Sequence, residues 1–246
     1  MIGATMNEDI GGSAWASPLL RGLPEADLQV LLDVCRVSHV DRGRQLLRAD
    51  DDQVALLARG AAKAHAPTRA GDQVITAILG PGDAWGFGIS LGYRVAGTDV
   101  TAIEPVDALV LSGHDLRRLL GSHPAITTAC LRTVGRQLAL AQAETLQFAG
   151  TTTAERVTHR VLELATRWGR EQGDRIVVTL PITQDEIAAW AATSRESTAK
   201  VLHSLRRAGI VETGRRSLHI LDVEALRKRC LSRDTDTVVD LVEVLS

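Results

Sequence analysis

The chain is predicted to adopt an α+β fold, with an N-terminal antiparallel β-roll, one long helix and a C-terminal winged helix-turn-helix. Three observations predict it. Short apolar runs separated by glycine and aspartate fill residues 39–111. A 3-4 spaced apolar series runs from Leu131 to Phe148. Two capped helical segments, 183–208, are followed by two β-rich runs around a basic tip. The expected partition is a flexible arm (1–16), the roll (17–122), the long helix (123–150), the winged domain (151–230) and an acidic tail (231–246).

The roll comes first. After the low-pattern arm, Leu23, Leu28, Leu31, Leu32 and Val34 fall at roughly helical spacing and predict a short lead-in helix. From His39 the pattern changes to HVDRG, QLL, VALLARG, AKAHA, QVITAILGPGD, WGFGISLG, TDVTAIE and ALVLS. Regular short strands with turn residues between them argue an antiparallel barrel or roll. Gly43, Gly60, Gly71, Gly80, Gly82 and Gly86 are the expected corners.

His114–Leu120 reads as a short helix, and Pro124 opens a long one that runs to about Phe148. Along it Leu131, Val134, Leu138, Ala141, Thr145 and Phe148 step by 3 and 4, as the a/d seam of a coiled coil does. Threonines 151–153 form a hinge. Ala154–Gln172 is a further amphipathic helix with Val157, Val161, Leu164 and Trp168 inward, and RIVVTL is a strand.

Within 183–208, Thr183 with Glu186 and Thr193 with Glu196 have the spacing of capping boxes. The second helix carries Thr198, Val201, Leu202, Leu205 and Ala208 on one face and Arg195, Glu196, Ala199, Lys200 and His203 on the other. That outer face has the chemistry of a base reader: arginine forks onto guanine and glutamate accepts from cytosine. It is equally the pattern of a solvated face with a Glu196–Lys200 pair. VETGRRSLHILD, 211–222, reads as a hairpin whose Arg215 and Arg216 would meet phosphates. VEALRKRC is a last short helix. Val238, Leu241, Val242 and Leu245 give the tail a helical apolar repeat with no assigned place.

Composition sets the remaining bounds. Of 246 residues 45% are hydrophobic, enough for a core, but only 3% are aromatic, so aliphatic packing dominates. Residues 151–230 hold 14 Lys/Arg against 10 Asp/Glu while the whole chain has a net charge of −2, so positive charge gathers around the proposed reader. Cys35, Cys130 and Cys230 have neither metal-ligand nor disulfide-framework spacing. No signal-peptide pattern or 20-residue apolar span is present, which gives the expectation of a cytoplasmic protein without a membrane partner. No nucleophile–base pair or phosphate loop stands out, so an enzyme is not expected.

Two stretches carry a resemblance. T-x-x-E-I-A, S-R-E-S-T-A-K-V-L and L-x-x-x-G-I-V resemble the DNA-binding domain of the Crp/Fnr family of bacterial transcription regulators. L-G-P-G-D-A-W-G, 79–86, resembles the signature of cyclic-nucleotide-binding β-rolls. The resemblance implies a homodimer about the long helix and double-stranded DNA as partner, with RNA polymerase as a candidate partner. It implies a TGTGA-like half-site read by Arg195 on guanine, Glu196 on cytosine and Lys200 on guanine or phosphate. Thr183, Ser194, Ser197, Arg215 and Arg216 complete the expected interface. Ala192 departs from the glycine many such turns carry.

The effector pocket departs further. Members that bind cyclic AMP use a glycine and glutamate, an arginine and small hydroxyl residue, and a threonine and serine on the dimerisation helix. Here these positions fall at Gly86 and Phe87, at Ala96 and Gly97 followed by Thr98, and at Ala141 and Gln142. Arg94 is a nearby cation, and the ring of Phe87 could occupy part of the pocket. Replacement of these polar groups implies no cyclic AMP dependence, and no cofactor is expected: the iron–sulfur branch needs four cysteines, and scattered histidines do not make a haem site. Cys130, at a g position beside the seam, is a candidate redox thiol. The alternative reading is a regulatory or ligand-sensing module that acts through protein contacts.

Overall fold

The computed structural model describes residues 15, 17–69, 71–93, 98–214 and 217–230, apart from the side chain of Gln147. The arm, Arg94, Ala96, Gly97, Arg215, Arg216 and the acidic tail with its apolar repeat therefore lie outside the described residues, Trp15 excepted. The chain divides into two compact units, Met1–Asp72 with Thr76–Leu138, and Gln73–Ile75 with Ala139–Ser246. The observed mixture of antiparallel sheets, a long helix and a helix-turn-helix is the α+β fold expected.

The first unit opens on α1 (Glu25–Asp33), followed by β1 (Arg36–Val40), β2 (Gln45–Leu47), β3 (Gln53–Arg59), β4 (Ala62–Pro67), β5 (Gln73–Leu79, of which the first unit holds residues from Thr76 on) and β6 (Ala84–Trp85). After α2 (Phe87–Ser90) come β7 (Asp99–Ala102), β8 (Val106–Ser112), α3 (Gly113–Ser122) and α4 (Pro124–Gly150). One sheet has the order β1-β8-β3-β6 and the other β2-β7-β4-β5. The near-continuous apolar run of β3 has a direct cause. Val54, Leu56 and Ala58 face a core shared with Leu31, Leu32, Leu116, Leu119 and Ile126 of the helices. Ala55 and Leu57 face the second core, with Leu47, Val100, Val106 and Val110, between the sheets. Strands covered on both faces lose the alternation of half-exposed ones.

WGFGISLG is not a strand throughout. Residues 84–85 pair with β3, and the chain then turns at Gly86 into α2. Gly86 has φ +106, and a Cβ there would lie 2.1 Å from the Gln53 carbonyl oxygen. Only glycine allows that backbone to approach so closely.

The second unit contains the last turns of α4, then α5 (Thr153–Trp168), β9 (Gly169–Gln172), β10 (Arg175–Val178), α6 (Gln184–Trp190), α7 (Arg195–Arg207), β11 (Val211–Gly214), β12 (Ser217–Ile220) and α8 (Val223–Cys230). Its sheet has the order β11-β12-β10-β9. The helix predicted to reach Gln172 stops at Trp168, and residues 169–172 pair with β10 instead. At Gly169 a Cβ would meet the Ala165 carbonyl oxygen at 2.1 Å and Ile176 at 2.2 Å, so the residue lets the helix end fold against the hairpin.

Within one chain the residues of the a/d series are covered unequally. Val134 is half-buried against the first unit's helix-side core, and Phe148 is half-buried beneath two arginines of α5. The large apolar side chains that α4 leaves exposed are Leu131, Leu138 and Leu146. No helix among the described residues is long and apolar enough to cross a membrane.

Candidate nucleic-acid interface and the hollow of the roll

Thr183 opens α6 with a complete capping box. Its hydroxyl accepts from the Glu186 amide at 3.1 Å, and the Glu186 carboxylate accepts from the Thr183 amide at 2.8 Å. Ile187, Ala188 and Trp190 are buried, which fixes α6 against its unit. The turn then passes through Ala192 at φ 47, the one non-glycine residue with positive φ among the described residues.

The second capping box, Thr193 with Glu196, does not form: a simple N-cap one residue later takes its place. The Thr193 amide is spent on the Ala188 carbonyl at 3.0 Å, so Thr193 belongs to the turn. Ser194, with extended backbone, is the N-cap of α7, and its hydroxyl accepts from the Ser197 amide at 3.1 Å. Thr198, Leu202 and Leu205 are buried beneath α7. Arg195, Glu196, Lys200 and His203 are exposed, with Ser194 beside them. The structure therefore brings Ser194, Arg195, Glu196, Ser197 and Lys200 together at the start of α7, while Thr183 caps the start of α6.

Two ion pairs cross this surface. The Lys200 ammonium lies 2.7 Å from Glu196 and holds that carboxyl below its usual value. The Arg195 guanidinium lies 3.2 Å from Asp185 on α6, a partner not anticipated from the sequence. Such pairs are exposed and weak, so base edges or phosphates can displace them with little penalty. Beside α7, β11 and β12 pair from Val211↔Ile220 to Gly214↔Ser217 and form the wing. Arg206 donates to the Thr213 hydroxyl at 3.1 Å, linking the last turn of α7 to that wing.

Sequence reasoning also missed what holds the turn. Arg160 Nε donates to the Trp190 carbonyl at 3.2 Å, and Arg156 Nε donates to the Ala191 carbonyl at 3.1 Å. These acceptors lie at the C-terminal end of α6, where helix carbonyls lack internal partners. Two arginines one turn apart beside the inward Val157 and Val161 were the available signal.

In the first unit, a hollow of about 160 Å³ is lined by Leu47, Arg48, Ala49, Asp51, Trp85, Gly86, Phe87, Gly88, Ile89, Thr98 and Gln137. Gly86, Phe87 and Thr98 thus do share a site. Phe87 is only 4% exposed and is part of the helix-side core as well as of the hollow's wall. The α4 residue at the hollow is Gln137, which donates to the Ala84 carbonyl. Ala141 and Gln142 are solvent-exposed and do not line it.

Cys130 is corrected too. Rather than lying open beside the seam, it is 4% exposed within the core of its own chain, and burial pushes its thiol up to about 11. Burial likewise raises Cys35 and Cys230 to about 12, the opposite of a reactive thiolate. Among the described residues no group of His, Cys, Asp or Glu is placed to hold a metal ion.

A capped helix, a tight turn, a second helix with a polar outer face and an adjoining wing, on a chain that also contains a β-roll, define a transcription regulator with a helix-turn-helix DNA-binding domain. Comparison with known proteins agrees: residues 155–229 match the family model of the Crp-like helix-turn-helix domain. The chain is 28% identical over 178 residues to a CRP-like cAMP-activated global transcriptional regulator of Mycobacterium tuberculosis, covering 72% of this chain and 80% of that one. It is 25% identical over 214 residues to a cyclic AMP receptor protein of Thermus thermophilus, covering 86% and 96%. A crystal structure of a CRP/FNR-family transcriptional regulator from Thermus thermophilus shares the fold at TM-score 0.68 and 21% identity, covering 80% of this chain and all of that one. Residues 155–229 are thus a Crp-like helix-turn-helix domain, and the chain as a whole is similar to CRP-like regulators.

Proposed function

We propose that the protein is a cytoplasmic homodimer that binds a palindromic TGTGA-like DNA site without requiring cyclic AMP, with RNA polymerase as a further partner. The observation that carries this reading is the clustering of exposed Arg195, Glu196 and Lys200 at the start of α7, beside a wing. Arg195 forks onto guanine, Glu196 accepts from cytosine, and Lys200 contacts guanine or phosphate. Thr183, Ser194 and Ser197 supply hydroxyls near the backbone, and Arg215 and Arg216 at the wing tip contact phosphates. Exposed Leu131 and Leu138 support pairing of α4 with its copy.

Independence from cyclic AMP is supported by the hollow. A buried phenylalanine stands at the position expected for the ribose-binding glutamate, and the small volume falls below the roughly 300–1,000 Å³ of ligand pockets. The test is selection of bound duplexes from a random library, with and without cyclic AMP. A two-fold symmetric consensus recovered equally in both arms is expected. Recovery of no consensus would favour a module acting through protein contacts.

A further inference from the structure

The two arginines beneath the helix-turn-helix do more than cap α6. Arg160 is buried, its side chain only 5% exposed, and its guanidinium is engaged by carboxylates, a carbonyl and two rings. Nε reaches the Trp190 carbonyl, and Nη1 reaches Glu144 at 2.8 Å and Glu163 at 2.9 Å. The Trp190 ring lies 4.6 Å away and Phe148 5.7 Å away. Arg156, one turn earlier, repeats the plan: its guanidinium lies 5.5 Å from Phe148 and donates to the Ala191 carbonyl. Glu144 and Phe148 belong to the last turns of α4, while Trp190 and Ala191 are the residues from which the chain enters the left-handed turn and then α7. Each arginine therefore touches the end of the long helix on one side and the root of the reading helix on the other. A planar fork held by carboxylates, carbonyls and ring faces has little freedom to tilt.

We propose that Arg156 and Arg160 are positioning residues that set the angle between the end of α4 and α7, and thereby the half-site spacing that the protein accepts on DNA. This rests on the two-fold dimer described above, in which rigid half-site spacing follows from protein symmetry. The arginines touch no base. Their role is to transmit the geometry of the paired helices to the two readers.

The experiment measures affinity of the full chain for duplexes whose two half-sites are separated by a varied number of base pairs, and separately the base preference within one half-site. The variants are Glu144→Gln, a half-buried change that leaves both arginines on the turn carbonyls, and Arg160→Lys, which keeps the charge and loses the fork. Wild type should show one preferred spacing. Both variants should lose about tenfold of the discrimination between that spacing and its neighbours, as expected for loss of a charged hydrogen bond. Their base preference within each half-site should stay unchanged; a general loss of stability would instead weaken every spacing alike and leave the discrimination intact. Folded variants that keep the wild-type spacing profile would overturn the proposal. A wild type indifferent to spacing would overturn the two-fold reading itself, and the proposal with it.

Discussion

Ala192 shows a single residue carrying local strain. Its φ of 47 places a Cβ where an L-residue is disfavoured by about 1–2 kcal/mol. Glycine would remove that penalty while giving up about 0.5–1 kcal/mol of backbone entropy. Ala192→Gly is therefore expected to stabilise the protein by about 0.5–1 kcal/mol, read as a raised urea midpoint at unchanged slope. This strain was legible only through the resemblance, since such turns commonly carry glycine where Ala192 stands. The cap of α7 was not: Thr193 and Ser194 have equivalent chemistry, and only the bond of the Thr193 amide to Ala188 assigns the capping role to Ser194. Burial was equally invisible at Cys130. Heptad spacing placed it beside a seam, whereas α4 turns it into the core beside Ile126 and Ala129. Maleimide at mildly alkaline pH should leave Cys130 unlabelled in the native protein and label it after unfolding. Rapid native labelling at Cys130, located by peptide mapping, would contradict this.

At the scale of elements, α7 is an amphipathic helix whose buried and exposed faces were both readable from 3-4 spacing. The α5–β9 boundary was not, since GREQ is polar and its strand character comes from pairing with β10. The reader makes a direct prediction. Arg195→Ala should weaken specific binding by roughly 1–3 kcal/mol and relax preference at one base pair. Wing truncations at Arg215 or Arg216 should weaken all sequences alike and lower the salt dependence. An unchanged consensus in the Arg195 variant would show that another residue reads that base. The base of α5 makes a prediction about pH. Burial raises the Glu163 carboxyl above its ordinary value of 4.5, with Arg160 and Arg167 opposing. In the window just above 4.5 the folded state thus holds a proton that the unfolded chain has released, and stability falls as pH rises through that window. Asp52 and Asp115, held low chiefly by Arg117 and Ser112, act in the opposite sense and only as pH drops through and below their usual 3.8. Glu163→Gln should flatten the decline above 4.5, measured by urea unfolding across pH. An identical slope in the variant would refute this assignment.

For the whole molecule, the β-roll, long helix and winged reader were each evident from turn residues, heptads and caps, but the division of labour along α4 was not. A repeat of 3 and 4 specifies one helix face without stating what covers it. The structure assigns Val134 and Phe148 inward, and leaves Leu131 at 68% and Leu138 at 58% exposure. If those leucines meet their copies, Leu138→Glu puts two charges into one apolar contact. It should release monomers in light scattering and abolish tight binding to a two-half-site duplex. A Leu138→Glu protein that stays dimeric would place the interface elsewhere. The same helix bears on the effector question. Gln137, the α4 side chain at the hollow, is bonded to the Ala84 carbonyl of the roll's own backbone. Phe87 packs into the core at the position where a ribose-binding carboxylate is expected, and so supplies no acceptor. A missing polar or charged hydrogen bond costs a ligand about 1–3 kcal/mol. The absence of two or three moves a micromolar ligand to millimolar or weaker, since about 1.4 kcal/mol is tenfold. A ligand that does not distinguish two states cannot shift the population between them, so DNA binding should be indifferent to cyclic AMP. Calorimetry up to about millimolar cyclic AMP should show no saturable heat, and DNA titrations with and without it should superimpose. Saturable micromolar binding that tightens DNA affinity would overturn this. Its loss in Arg94→Ala would then identify Arg94 as the cation that replaces the missing arginine.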